Sequence, residues 1–493
     1  MVDASRGQNS PIGRLFIVVI ARKIDAYFYV SETDMTSTDL PLFPDEPLAL
    51  KPPASIDPLG TVKAPVRVKM PNRRQLELRA VDLESSVAED HRVRIVWAYV
   101  ERLDLSALYA RIKAVEGGVG RSSIAPEILL SLWLFATLES VGSARALARM
   151  TEEHDAYRWI CGGVSVNYHT LADFRVGHGD FLDELLTTSV ASLMSVDAVS
   201  LTRLAQDGMR VRACAGASSF RRKAKLEEFL DQAKKRVAQL KEQIEADPAG
   251  PSRRMQAARD RAARDRQEKV EKALSRLPEL EAAKERQKAR GKKKVSEPRV
   301  STTDAEATVM KMPNGGHNPA YNVQFCTDTA SQVIVGVDLL QAGTDHGQLT
   351  PMLAQIEKRY RRTPDEYLVD GGYVSAQEIA AAARCKIYAP VPERSRDKLP
   401  PHAPRSSDTA PVAEWRARMA TDEAKKVYVE RASTAECVNA LARERSLTKI
   451  RVRGIIKAKA AIMFYALAHN LMRLAKLAPD LLSTVKPTYQ RVS

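Results

Sequence analysis

VSLTRLAQDGMRV, residues 199–211, reads as the opening strand of a new domain, in which Leu201, Leu204 and Ala205 lead to Asp207 and Gly208. Burying a carboxylate at the centre of a strand is costly unless something neutralises it, and a metal ion would do so. The Asp-Gly pair equally suits a turn, so this stretch alone leaves both readings open. Strand signals resume at 307–312, 320–327 and 333–340, separated by Pro313-Asn-Gly-Gly316 and Asp328-Thr-Ala-Ser331. Those separators have the chemistry of turns between neighbouring antiparallel strands. Next come a helix over 346–360, a short apolar strand at 366–369 ending on Asp370-Gly-Gly-Tyr373, a helix over 376–384 and a strand at 387–389. The order predicts an α/β fold built on a mixed sheet with flanking helices.

Working outward, residues 220–299 shift abruptly to Lys, Arg, Glu, Ala and Gln, with Leu226, Phe229, Leu230, Val237 and Leu240 at helical spacing. They predict a helical hairpin or coiled-coil insertion into the sheet domain. Asp247, Pro248, Gly250 and Pro251 mark its break, and a second helix is expected from Arg253 to about Leu277, where Pro278 interrupts it. Lys292-Lys-Lys294 closes it in a basic cluster that suits either a DNA backbone or a solvated helix face.

Before the sheet, apolar spacing predicts helices over 92–115, 128–138 and 143–151. A Gly162-Gly163 break and a further helix through Asp173, Phe174 and Arg175 follow, with Asn167 or Thr170 as the cap. Short helices joined by tight turns fit a helix-turn-helix DNA-binding module, or a packing domain in which His169 and Arg175 make structural hydrogen bonds. Residues 1–69 read as a disordered or extended lead-in, rich in proline from Pro41 to Pro65, and residues 1–34 as sequence upstream of a natural start at Met35. The domain plan is then 1–69 lead-in, 70–197 helical DNA-binding domain, 198–219 with 300–477 catalytic domain, 220–299 insertion and 478–493 tail.

Composition narrows the function. The chain of 493 residues carries a formal charge of +15 and a pI near 9.5, which predicts a polyanionic partner. Aromatics at 6% argue against serial base stacking on single strands. The five cysteines are isolated and never spaced as C-x-x-C, which excludes a patterned zinc site or disulfide framework and implies a reducing cytoplasm. The apolar run at 15–20 is broken by Arg22 and Lys23 and is too short to span a membrane.

Residues 426–470 set one acid, Glu436, among Tyr428, Arg431, Arg443, Arg451 and Arg453. Phosphodiester chemistry with two hard cations needs carboxylates distant in sequence and adjacent in space, and oxygen ligands suit magnesium or manganese. Asp207 and Asp370, at the ends of neighbouring parallel strands, would converge on one sheet edge. A helix beside that edge would deliver Glu436.

From about 66 to 477 the chain resembles the DDE transposases of bacterial insertion sequences, which have a ribonuclease H-like core. The resemblance runs through Tyr157-Arg-Trp-Ile-Cys-Gly-Gly163, Asn167-Tyr-His-Thr170, Gln206-Asp-Gly-Met-Arg210, Ser301-Thr-Thr-Asp304, Tyr321-Asn-Val-Gln324, Asp370-Gly-Gly-Tyr373 and the Tyr428, Arg431, Glu436 signature. It implies that Asp207, Asp370 and Glu436 are the catalytic, metal-holding triad, with two magnesium ions, or manganese in their place. It further implies that Tyr428 and Arg431 lie beside the transposon end. Arg443 stands where related subgroups carry a lysine. Together with His169, Arg175, Arg451 and Arg453 these form the expected DNA-binding set.

The spacing from Arg431 to Glu436 is one residue longer than in the commonest form of the signature, which leaves Glu430 and Glu444 as competitors. Glu430 is expected to pair with Lys426, and Glu444 with its flanking arginines. Asp304 reads as a turn or cap. The implied function is binding of terminal inverted repeats, followed by metal-dependent cleavage and strand transfer into double-stranded target DNA. The implied assembly is a homodimer in the synaptic complex, associated with the bacterial nucleoid, with no membrane role. The alternatives are an inactive DNA-binding descendant and a nuclease without strand transfer.

Overall fold

The computed structural model describes residues 82–115, 121–246, 253–289, 291, 295–393 and 400–483. The lead-in, the break at 247–251, Lys292-Lys-Lys294 and the end of the tail lie outside the described residues.

Among the described residues, seven helices precede the sheet: α1 (Arg92–Val100), α2 (Ser106–Tyr109), α3 (Pro126–Leu138), α4 (Ala144–Glu153), α5 (Asp155–Cys161), α6 (Tyr168–Gly177) and α7 (Gly179–Ser195). The single helix expected over 92–115 is two short ones. Pro126 occupies the first turn of α3, where its missing N–H costs nothing, and the helix is buried nearly all round from Ile128 to Leu138. Ser143 caps α4 and Asn167 caps α6 by accepting from Thr170 N at 3.0 Å. Gly162, at φ 55°, ends α5 in the left-handed conformation that glycine adopts without strain.

Beyond these helices, the mixed sheet is built on β1 (Arg203–Arg212). After the small β2 (Phe220–Arg221), α8 (Lys223–Ala246) and α9 (Arg253–Ala289) pack on each other, and β3 (Val300–Ser301) pairs back with β2. The helix does not stop at Pro278; α9 runs through it. Leu226 of α8 and Val270, Ala273 and Leu277 of α9 share a small apolar core with Val300, and that packing holds the helix across the residue its local chemistry disfavours.

The sheet resumes with β4 (Thr308–Lys311), β5 (His317–Asp328) and β6 (Ile334–Leu340), then α10 (Leu349–Tyr360), β7 (Glu366–Leu368), α11 (Ala376–Ala381) and β8 (Lys386–Tyr388). Its order is β6-β5-β1-β7-β8, with β4 also pairing β5. β1 runs antiparallel to β5 and parallel to β7, and β7 runs parallel to β8.

The remaining elements are α12 (Ala410–Met419), α13 (Asp422–Arg431), a π-helical turn at Ala432–Glu436, α14 (Cys437–Glu444), α15 (Ile455–Leu477) and α16 (Asp480–Ser483). α15 packs on α3, α6, α7 and β6, so the early helices and the sheet share one continuous apolar core. Each fully buried Leu or Phe in it contributes about 1.5–3 kcal/mol.

Candidate active site

Register decides which acids meet. Ala205 on β1 pairs with Leu368 on β7 in a parallel ladder, so two residues further along each chain Asp207 and Asp370 reach neighbouring positions. Asp207 Oδ2 accepts from Asn439 Nδ2 at 2.9 Å, and its Oδ1 accepts from Gly208 N at 2.9 Å. Arg431 Nη1 stands 3.8 Å from Oδ1. Burial pushes the Asp207 carboxyl up to about 6; Asp370 and Asp345 push it the same way, against Arg431 and the Gly208 amide. Asp370 Oδ1 accepts from Gly372 N at 2.6 Å, which curls its loop back on itself.

The helix side supplies the third acid. Arg431 is 14% exposed at its side chain, lies 5.9 Å from the Tyr428 ring, and donates to Glu436 Oε1 at 2.9 Å. In a regular α-helix residues five apart point about 140° away from each other. The π-helical turn at Ala432–Glu436 takes up the extra residue of the signature and swings Glu436 back over Arg431.

Of its competitors, Glu430 pairs with Arg203 at 2.6 Å, and Arg203 also holds Glu366 at 2.5 Å. The expected partnership with Lys426 is therefore corrected. Arg203 on β1, 27% exposed at its side chain, takes Glu430 in place of the exposed Lys426 one turn away. Glu444 is exposed and closes no salt bridge among the described residues, although flanking arginines had been expected to pair with it. Asp304 is buried, accepts from Tyr321 OH at 2.9 Å and from Gly454 N at 3.2 Å, and so acts as a structural brace.

The expected DNA contacts are dispersed. Arg443, Arg451, Arg453 and His169 are exposed. Arg453 lines a cleft of 530 Å³ with Lys269, Lys272 and Lys457, beside Asp304 and Glu306. Arg175 is buried, lies over the Trp133 ring at 4.3 Å and donates to Gly142 O at 2.8 Å. Burial and neighbouring Arg451 pull its pKa down to about 10.

Sequence reasoning gave Asn439 no role, yet it is the side chain that grips Asp207. It passed over Asp345 altogether. The Glu436-x-x-Asn439 spacing was a usable signal, because residues three apart share a helix face.

The acceptors around Asp207 are hard oxygens, and Asn439 Oδ1 is buried without a partner among the described residues, which fits a hard cation at Asp207 and Asp370. Among the described residues no three His, Cys, Asp or Glu side chains converge on one ion position, and Glu436 is paired with Arg431.

A mixed sheet that sets one acid on β1 and another just past the end of β7, with a guanidinium linking the first to a third acid, can organise charge around a transferring phosphate. Residues 81–176 match the family model described as Transposase domain (DUF772), and residues 400–475 match Transposase DDE domain. The second match includes Tyr428, Arg431, Glu436, Arg443, Arg451 and Arg453, and the first includes His169 and Arg175. No curated protein and no solved structure matches the chain. The two domain matches support a DDE transposase of insertion sequences. The DDE domain belongs to a nucleotidyl-transfer enzyme family that acts on DNA and generally uses divalent metal. Among the described residues no helix is long and apolar enough to cross a membrane.

Proposed function

We propose that this chain binds the terminal inverted repeats of an insertion sequence, cleaves DNA at the element's ends and joins the freed 3′ hydroxyls to double-stranded target DNA. The observation that carries the reading is the approach of Asp207 on β1 to Asp370, two residues past the end of the neighbouring β7, with Arg431 linking Glu436 to Asp207. The sheet order, antiparallel on one side of β1 and parallel on the other, supports a ribonuclease H-like core, interrupted by the 220–299 insertion and preceded by a helical DNA-binding domain over 70–197.

Asp207 and Asp370 would hold magnesium or manganese, and Glu436 would complete the set once Arg431 releases it. When bound, such ions would supply activation of the attacking oxygen and stabilisation of the leaving one. The protein's own groups do the rest. Asn439 orients Asp207 Oδ2, leaving Asp207 Oδ1 on the side of Arg431. The released Arg431, with Tyr428, meets the DNA end. Arg443, Arg451 and Arg453 supply phosphate contacts along the flank, and synapsis of two ends calls for a homodimer acting at the bacterial nucleoid.

The test is a purified full chain with a labelled element end, supercoiled target plasmid and Mg²⁺. Joined product is the expected result. Nicking without joining would leave a nuclease, and end binding without nicking an inactive descendant; either outcome rejects the proposal.

A further inference from the structure

The residues quoted as Tyr321-Asn-Val-Gln324 and Asp370-Gly-Gly-Tyr373 are absorbed only in part by the site above, and they meet beneath it. On β5, Asn322 and Gln324 project from the same face as Gly208 and Arg210 of β1, to which they are paired across the ladder. Both amides donate to Asp345 Oδ1, each at 2.7 Å. Gln324 Oε1 accepts from Tyr373 OH at 2.5 Å and from Gln206 Nε2 at 2.9 Å, and Gln206 Oε1 accepts from Tyr367 OH at 2.8 Å. A chain of buried hydrogen bonds therefore joins the Asp370 loop to the segment that carries Asp345.

Asp345 sits directly on the backbone beside Asp207. A Cβ on Gly208 would lie 2.2 Å from Asp345 Oδ1, 2.5 Å from Gln324 Nε2 and 2.9 Å from Asn322 Oδ1. Only glycine admits the carboxylate at this position. Its donors are neutral amides, and it closes no salt bridge among the described residues. Arg210, the nearest cation along β1, directs its guanidinium to the carbonyls of Lys311 and Gly343. Asn322 is 1% exposed, and its Oδ1, aimed at the same space over Gly208, has no partner among the described residues. Its orientation is set, because Nδ2 is committed to Asp345.

We infer that Asp345 is a positioning residue of the active edge: its uncompensated charge, clamped over Gly208 by Asn322 and Gln324, strengthens the hold of Asp207 and Asp370 on a divalent cation. The inference rests on the proposed cation site. It gives a purpose to the arrangement, since a carboxylate held by neutral donors over Gly208, its charge felt at Asp207, attracts a cation to that edge.

The experiment is a Mn²⁺ titration of the full chain without DNA, followed by the electron paramagnetic resonance signal of free Mn²⁺. Asp345→Asn keeps an acceptor for both amides and removes the charge; it should weaken Mn²⁺ binding about three- to tenfold, with melting temperature and end binding as in the unaltered protein. Asp345→Ser, shorter and neutral, serves if the asparagine variant misfolds. Asp207→Asn is the control: if it binds Mn²⁺ as tightly as the unaltered chain, the cation site itself is wrong. If Asp207→Asn loses the ion while a folded Asp345 variant binds it normally, the role of Asp345 is overturned. Misfolding of both Asp345 variants would make the residue a structural prop only and overturn it equally.

Discussion

The strand-borne acids and the helix-borne acid reach one edge by different physical means. Asp207 is placed by ladder register, is 19% exposed at its side chain, and is pinned by Asn439 and its neighbour's amide. Glu436 is placed by a π-helical turn, is 56% exposed, and among the described residues is tied only to Arg431. The first is preorganised and costly; the second is loosely held and free to change partners. The site thus pairs a rigid half with an adjustable half.

The largest effect separates chemistry from binding. Asp207→Asn and Glu436→Gln should each lower end cleavage about a thousandfold or more, the scale of removing a charge-organising group from a transition state, while end binding in a mobility-shift assay stays intact. Cleavage retained by Glu436→Gln would move the third ligand to Glu444, since Glu430 is committed to Arg203. Next in size is Asn439→Leu. It strips Asp207 Oδ2 of its buried donor, and should cost about 1–3 kcal/mol in denaturant unfolding while slowing cleavage. Arg431→Gln should barely alter stability but should free Glu436, and a Mn²⁺ affinity at or below that of the unaltered chain would contradict the clamp.

Protonation sharpens the contrast. Folded Asp207 keeps its proton up to about pH 6, held up mainly by burial, whereas an unfolded Asp loses it near 3.8. Between those values the folded chain binds more protons, so this group's contribution to stability is full below the window and is lost as pH rises through it. Relative to the unaltered protein, Asp207→Asn should therefore gain up to about 3 kcal/mol between pH 4 and pH 8, read from paired denaturation curves. Denaturation curves of the two proteins that stayed parallel across that window would contradict the burial assigned to Asp207.

Much of this was legible in the chain. The strands at 307–312, 320–327, 333–340 and 366–369 appear within a few residues of their places, because alternation and turn chemistry are local signals. What was not legible depends on distant partners. Glu430 finds Arg203 across 227 residues, whereas sequence spacing offered only Lys426. Pro278 reads as a helix end until the packing of Leu277 on Leu226 outweighs it. Asp345 lies in a loop without periodicity, and its only trace was the pair Asn322 and Gln324, two polar residues on one face of an otherwise buried strand.

The smallest expected effect tests the turn that carries Glu436. If the π-helical turn is one inserted residue taken up by widening, deleting Ala432 should let the segment close into ordinary α-helix, with Arg431 and Glu436 then four apart and still on one face. Cleavage should fall only a few-fold and helicity should hold. Deleting Leu441 within α14 removes a residue from a regular helix, so the positions beyond it turn about 100° against their partners. Ala442 would leave the core, and the chain should lose both stability and cleavage. Equal damage from the two deletions would mean that the turn is not a removable insertion, and that the looseness assigned to the helix-borne acid does not exist.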